Sequence, residues 1–247
     1  MNKLAIIGGT GLTALEGLEI TRQQNIETPF GEPSSPLLFG EMAGQEIVFL
    51  PRHGGQHTIP PHRINYRANI WALKSLNIEN IIAVAAVGGI RADCYAERIV
   101  IPDQIIDYTW GRPSTFFAED LPEVTHIDFT YPYAPSVREK IIEACDHLSI
   151  NACTEATYAT TQGPRLESKA EIDKLERDGC DIVGMTGMPE ASLAQELELK
   201  YAAITVVANL AAGRSQEVLS MEMIQQCLKS GMQQVKNIIR QVVITSS

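Results

Sequence analysis

The chain of 247 residues is 45% hydrophobic and 20% charged, enough apolar material for one substantial core without metals or disulfide staples. Its 30 acidic and 20 basic residues give a formal charge of -10, so the surface as a whole repels polyanions and has no footprint for nucleic acid or anionic lipid. Any anion this chain binds is held locally.

Lys3 to Ile7 is a short apolar run ending in Gly8-Gly9-Thr10-Gly11, which reads as a buried strand delivering a tight glycine turn. Leu37 to Phe39 and Glu46 to Leu50, around Ala43-Gly44, read as a hairpin. Pro51 to Arg63 is a polar loop stiffened by prolines that holds three of the five histidines, His53, His57 and His62, and is a site candidate. Asn65 opens an amphipathic helix with Ile70, Trp71, Leu73 and Leu76 on its apolar face, and Asn80 to Val87 is the next buried strand. Strands over Arg98 to Ile101 and Gln104 to Tyr108 lead into an irregular stretch, Thr109 to Pro135, too long for an ordinary loop and so functional or part of an interface. Ser136 to Leu148 is a helix and Ala152 to Thr160 a strand. Ser168 to Asp178 is a helix, Asp181 to Gly184 a short strand and Met188 to Leu199 a further helix. Ala202 to Ala208 is a strand ending at Asn209, and Met221 to Val243 is a long terminal helix. This alternation, without a linker or an internal repeat, predicts a single α/β domain over residues 1–247.

The cysteines Cys94, Cys145, Cys153, Cys180 and Cys227 are scattered, with no C-x-x-C, and read as reduced structural thiols. The opening MNKLAIIGGTGL lacks the apolar core and cleavage site of a secretory signal, and the runs Ile81 to Ile90 and Ala202 to Gly213 fall short of the roughly 20 residues a spanning helix needs. The expectation is a soluble, cytoplasmic protein with neither nucleic-acid nor membrane partners.

Gly9-x-Gly11-x-x-Ala14 after a strand satisfies part of the dinucleotide-binding fingerprint, but the acid needed about 20 residues on falls at Glu32, among prolines that exclude a central strand. What survives is an anion cradle of backbone N–H groups plus the Thr10 hydroxyl, or else a plain surface turn. Arg52-His53 is a second anion element: a guanidinium forks onto two phosphate oxygens while an imidazole N–H donates to a third. His57 and His62, without acids or cysteines at ligand spacing, do not make a metal site. Ser215 and Ser220 lack the G-x-S-x-G elbow of an acyl-transfer enzyme.

Read together, IIGGTGL (6–12), TPFGEPS (28–34), RHGGQHTIPPHRINYRANIWALK (52–74), QGPRLES (162–168) and MTGMPEASLAQE (185–196) closely resemble the methylthioadenosine phosphorylase branch of the purine nucleoside phosphorylase family. The resemblance covers nearly the whole chain in the same order. It implies a three-layer α/β fold with a central mixed sheet flanked by helices, assembled as a homotrimer. It also implies an enzyme that splits the N-glycosidic bond of a purine nucleoside with inorganic phosphate as co-substrate, using no metal or organic cofactor. By motif position the phosphate contacts fall on Thr10, Arg52, His53, Ala86 through its backbone, and Thr186, and the ribose platform on Met185. The family's strand threonine is replaced by Ala85, so one hydroxyl contact to phosphate is lost.

Departure of the purine puts positive charge on the ribose and negative charge on the base, so phosphate must be held on one side and the base stabilised on the other. Asn209 and Glu167 are the expected catalytic base-side pair, each just beyond a predicted strand. Outside the family context an isolated Asn or Glu there reads as a helix cap or a solvated residue. Glu167, an acceptor when ionised, suits the N1–H of a 6-oxopurine and opposes the N1 lone pair of adenine. Asn209 can donate to O6 while its carbonyl accepts a proton at N7. Adenine-specific relatives carry an acid at the position of Ala211; Leu166 and Ala211 complete the expected base wall. No histidine follows His147 to meet a 5′-hydroxyl, and Leu219, Met221 and Met223 offer an apolar surface for a methylthio group, although Met221 is equally placed for the core. His126 matches a residue that relatives insert into a neighbour's pocket, and is otherwise a surface histidine. The expected reaction is phosphorolysis of methylthioinosine. The alternatives are methylthioadenosine or inosine and guanosine as substrate, or a catalytically inactive purine-binding protein.

Overall fold

The computed structural model describes residues 3–12, 17–119, 121–215 and 221–245, without the side chains of residues 221–225. Ten strands form one sheet: β1 (Leu4–Gly8), β2 (Glu19–Gln24), β3 (Leu37–Met42), β4 (Gln45–Pro51), β5 (Asn80–Gly89), β6 (Ile99–Val100), β7 (Gln104–Asp107), β8 (Thr157–Thr160), β9 (Ile182–Gly184) and β10 (Lys200–Leu210). The spatial order is β2-β3-β4-β1-β5-β9-β8-β7, with β10 along the other edge of β5 and β6 beyond β10. Parallel pairs dominate the centre, while β2–β3, β3–β4, β5–β9 and β6–β10 are antiparallel. The helices are α1 (Tyr66–Ser75), α2 (Pro135–His147), α3 (Lys169–Arg177), α4 (Glu190–Glu196) and α5 (Met221–Thr245).

The near-continuous apolar character of β1, β5 and β10 follows from burial on both faces. Side chains alternate between two cores. Ile6, Ile82, Val84, Ile204 and Val206 pack with α2 and α5 on one face, and Ala5, Ile7, Ile81, Ala83 and Ala203 with α1 and α4 on the other. This is the expected mixed sheet between helical layers. Asn65 caps α1 as expected, its side chain accepting from Ala68 N at 3.1 Å. Ala43 and Gly44, both at positive φ, turn the β3–β4 hairpin. Four of the five free cysteines are buried. No helix among the described residues is long and apolar enough to cross a membrane.

Four expectations need correction. β2 has no counterpart in the sequence reading: all six of its residues are exposed at the sheet margin, so it carries no apolar alternation. The strand expected over Ala152 to Thr160 shrinks to β8, with Cys153 making only an isolated bridge to Val100. α4 starts at Glu190 rather than Met188, after Pro189. Asn209 lies inside β10, whose register shifts between Val207 and Asn209, rather than beyond its end. The next strand after the glycine turn, β2, pairs antiparallel with β3 at the sheet margin, unlike the parallel second strand of a dinucleotide fold.

α5 packs tightly on the sheet at Gly231, where an added Cβ would come within 2.2 Å of Val206 Cγ1. Val206 is fully buried and β-branched, so it has no room to turn away. Helix propensity favours Gly→Ala by about 1 kcal/mol, but overpacking costs about 1–3 kcal/mol. Gly231→Ala should therefore lower the urea midpoint; an unchanged or raised midpoint would show that this contact relaxes freely.

Candidate active site

The site begins where β5 changes partners. β10 follows one edge of β5 throughout, from Asn80 to Gly89. The other edge pairs with β1 only as far as Ala83 and with β9 only from Gly88. Between them the edge faces no strand. Arg52, at the end of β4, enters this gap and donates from Nη1 to Val84 O at 2.8 Å. Backbone groups alternate in direction along an extended strand, so Ala86 presents its N–H to the same edge as Val84. Gly9 passes so close that an added Cβ would lie 2.3 Å from Val84 O and 2.9 Å from Arg52 Nη1. Only glycine fits there, which explains the Gly8-Gly9 pair before Thr10.

Arg52 is not free in the way the sequence suggests. Its forked edge is taken by Glu190, with Nε to Oε2 at 2.6 Å and Nη2 to Oε1 at 2.7 Å, and Tyr201 Oη donates to the same carboxylate at 2.8 Å. Burial opposes the cation, yet the adjoining Glu190 carboxylate raises its pKa above the ordinary arginine value. Two guanidinium N–H bonds, one on Nη1 and one on Nη2, remain for an anion, so any fork onto phosphate has to use this end of the group. His53 is also committed on one side, its Nδ1–H donating to Ile59 O at 2.8 Å. Burial, helped by the neighbouring Arg52 charge, lowers its pKa to about 4. It is therefore neutral at pH 7, with its N–H on Nδ1 and an acceptor lone pair on Nε2. Thr10 Oγ1 lies 3.4 Å from His57 Nε2.

A cavity of about 610 Å³ opens over this edge. Thr10, Arg52, His53, Ala86 and Thr186 line one part of it, and Ala85 stands beside Ala86 without a hydroxyl. Met185, Leu166, Glu167, Asn209 and Ala211 line the remainder, so ten of the expected residues share one space. The bulge that shifts β10 before Asn209 re-aims the strand end here. Asn209 Nδ2 donates to Leu210 O at 2.8 Å, which fixes the carboxamide and leaves a second N–H and Oδ1 for a ligand. Glu167 accepts from Thr161 Oγ1 at 2.6 Å.

His126, also expected, is exposed and absent from the cavity wall. Leu219 and the side chains of Met221 and Met223 lie outside the described residues; the apolar α5 residue on the wall is Leu228, which the sequence reading missed.

Arg112 and Glu190 were missed too. Arg112, buried in the irregular stretch, donates to Met185 O at 2.9 Å, Met188 O at 2.6 Å, Gln162 O at 2.9 Å and Thr161 O at 3.2 Å. It thereby ties the loop after β8 to the loop after β9. Its only signal in the sequence was a basic residue beside glycine and proline in an overlong connection.

Comparison with known proteins is consistent across sequence and structure. Residues 3–244 match the phosphorylase superfamily model. Over its full length the chain is 53% identical to a probable S-methyl-5′-thioinosine phosphorylase from Pseudomonas syringae pv. tomato, also covered completely. It is 45% identical to the 6-oxopurine nucleoside phosphorylase of Pyrococcus furiosus, over 89% of this chain and 84% of that one. The methylthioadenosine phosphorylase of Schistosoma mansoni, solved with adenine, superposes with a TM-score of 0.94 at 32% identity, covering 100% of this chain and 93% of that one.

Glu190→Ala leaves a buried guanidinium without its counter-charge and should cost about 3–5 kcal/mol of stability in urea denaturation; a loss under 1 kcal/mol would show that the pair is dispensable. For His53, the unfolded imidazole binds a proton below pH 6.5, whereas the folded one resists it until about pH 4. Its contribution is present above pH 6.5 and is lost as pH falls towards 4, by up to about 3 kcal/mol. His53→Gln should flatten the stability profile between pH 6.5 and 4; an unaltered slope would place the acid sensitivity elsewhere.

Proposed function

The chain belongs to the phosphorylase superfamily, and from that premise we propose that it cleaves S-methyl-5′-thioinosine with inorganic phosphate, giving hypoxanthine and 5-methylthioribose 1-phosphate for purine salvage. The observation that carries this reading is the pairing of Glu167 with an oriented Asn209 in the cavity that also holds Arg52, His53 and Thr186. The name of the Pseudomonas syringae relative supports the same substrate.

In this proposal phosphate sits against the open edge of β5. The two remaining Arg52 N–H bonds, the Ala86 N–H and the Thr10 and Thr186 hydroxyls hold its oxygens. Neutral His53 accepts from the P–OH of hydrogen phosphate at Nε2, which needs no charged imidazole. Met185 lies under the ribose as the C1′–N9 bond breaks and a phosphate oxygen bonds to C1′. Positive charge developing on the ribose is then matched by the adjacent anion. Glu167 accepts from N1–H, while Asn209 donates from Nδ2 to O6 and accepts from N7–H at Oδ1, so the base leaves neutral. In the net reaction the proton of hydrogen phosphate ends on hypoxanthine. Leu166 and Ala211 border the base, and Leu228 supports an apolar 5′ pocket to which Met221 is added. Phosphate is the co-substrate, and no cofactor enters the scheme.

The proposal also includes a cytoplasmic homotrimer in which His126 reaches a neighbour's site. The exposed Trp110, Leu121, Val124 and Tyr131 of the same irregular stretch supply apolar surface for such an interface.

Phosphate-dependent release of base from methylthioinosine, methylthioadenosine and inosine, measured side by side, tests the reading. Methylthioinosine should give the highest kcat/KM, and Asn209→Ala should lower it by on the order of 10²-fold, because the lost contact forms mainly as the base departs. Preference for methylthioadenosine would overturn the assignment of Glu167, and preference for inosine that of the apolar 5′ pocket.

A further inference from the structure

We infer that Thr161 is a positioning residue for base selection: its hydroxyl holds Glu167 in a fixed orientation as the acceptor for the N1–H of the 6-oxopurine. The inference rests on the reading of Glu167 given above. Thr161 follows β8 directly, and its backbone N–H donates to Gly184 O at 2.8 Å, which anchors it to β9. From that anchor Oγ1 lies 2.6 Å from Glu167 Oε1 and 3.3 Å from Gly184 O. The hydroxyl has one proton, and the shorter, charge-assisted bond to the carboxylate takes it. Among the described residues no other side chain donates a hydrogen bond to Glu167.

Arg165, a cation that feels the Glu167 charge, is routed elsewhere. Arg165 forks onto Glu171, with Nη1 to Oε2 at 2.8 Å and Nη2 to Oε1 at 2.7 Å. Glu171 in turn closes the capping box of α3 with Ser168. Glu167 thus keeps its charge available while a single neutral donor fixes its orientation. Donation to Oε1 fixes the plane of the carboxylate and leaves Oε2 as an acceptor. A carboxylate free to rotate could turn its acceptor oxygens away from the adenine N1 lone pair. The Thr161 bond opposes this, so it enlarges the discrimination between a 6-oxo and a 6-amino base.

The experiment compares kcat/KM for methylthioinosine and methylthioadenosine in the wild-type protein, Thr161→Val, Thr161→Ala and Thr161→Ser, with the KM for phosphate as the control. Valine keeps the shape and removes the donor. Both it and alanine should reduce the 6-oxo to 6-amino ratio by on the order of tenfold, consistent with one hydrogen bond to a charged group. Serine should stay within about threefold of wild type, and the phosphate KM should hold throughout. A general structural role would lower both nucleosides together and leave the ratio alone. A ratio unchanged in both Thr161→Val and Thr161→Ala, whatever the absolute rates, overturns the inference. Glu167→Ser separates the two readings. If it collapses the ratio while the Thr161 variants do not, only the role of Thr161 fails. If it too leaves the ratio unchanged, Glu167 does not read the base.

Discussion

A buried strand that loses its neighbour along part of one edge leaves carbonyl and amide groups to be satisfied by something else, at a cost of about 1–3 kcal/mol for each group left unpaired. β5 is in this position between its pairing with β1 and its pairing with β9. The Arg52 guanidinium takes over from the missing strand at Val84, and Glu190 with Tyr201 keeps that guanidinium charged and still in the interior. Most of the proposed phosphate half of the site depends on this substitution. The glycine turn packs against β5 and Arg52 there, and the Ala86 side of the edge faces no other strand among the described residues. A residue carried there to bind an anion and nothing else would need none of the buried support that Arg52 has.

The base half is built differently. The loops after β8 and β9 have no sheet to hold them, and Arg112 replaces one by gathering their carbonyls around a single cation. The irregular stretch that supplies Arg112 is itself pinned, with Thr115 Oγ1 and the Phe116 N–H both donating to Glu196 of α4 at 2.6 and 2.7 Å. Its length therefore reflects a path across several elements, which is why it carries no periodicity of its own.

That difference explains what could be read from the amino-acid order. The central strands were legible because burial on both faces makes them continuously apolar, and the capped helices because Asn65 and Ser168 mark their starts. Ten of the expected residues share the cavity because most of them follow a strand end, while Ala86 lies within β5 and Asn209 within β10. Glu190 was not legible, since it looks like any first-turn acid of a helix and its partner Arg52 is 138 residues away. The bulge that places Asn209 within β10 was equally hidden, because it depends on the pairing of two strands. β2 was missed for the opposite reason: a fully exposed margin strand presents no hydrophobic pattern. Which edge of Arg52 is open to an anion was hidden too, because residue type predicts what a guanidinium can bind, while the interior decides which of its edges is already used.

Separation of the two halves has a consequence for how substrate preference is set. The proposed phosphate contacts depend on sheet registers and a buried ion pair, where any alteration propagates into the core. The proposed base contacts depend on side chains whose backbones are fixed separately, Thr161 through Gly184, Ala211 through Gly89 and Asn209 within β10. A hydroxyl, a carboxylate or a carboxamide can therefore change at positions 161, 167 and 209 with little effect on the machinery that delivers phosphate. In this chain those three positions carry groups of matching sense: the threonine donates to the glutamate, the glutamate stays an acceptor, and the asparagine, turned by Leu210, keeps one donor and one acceptor for the base.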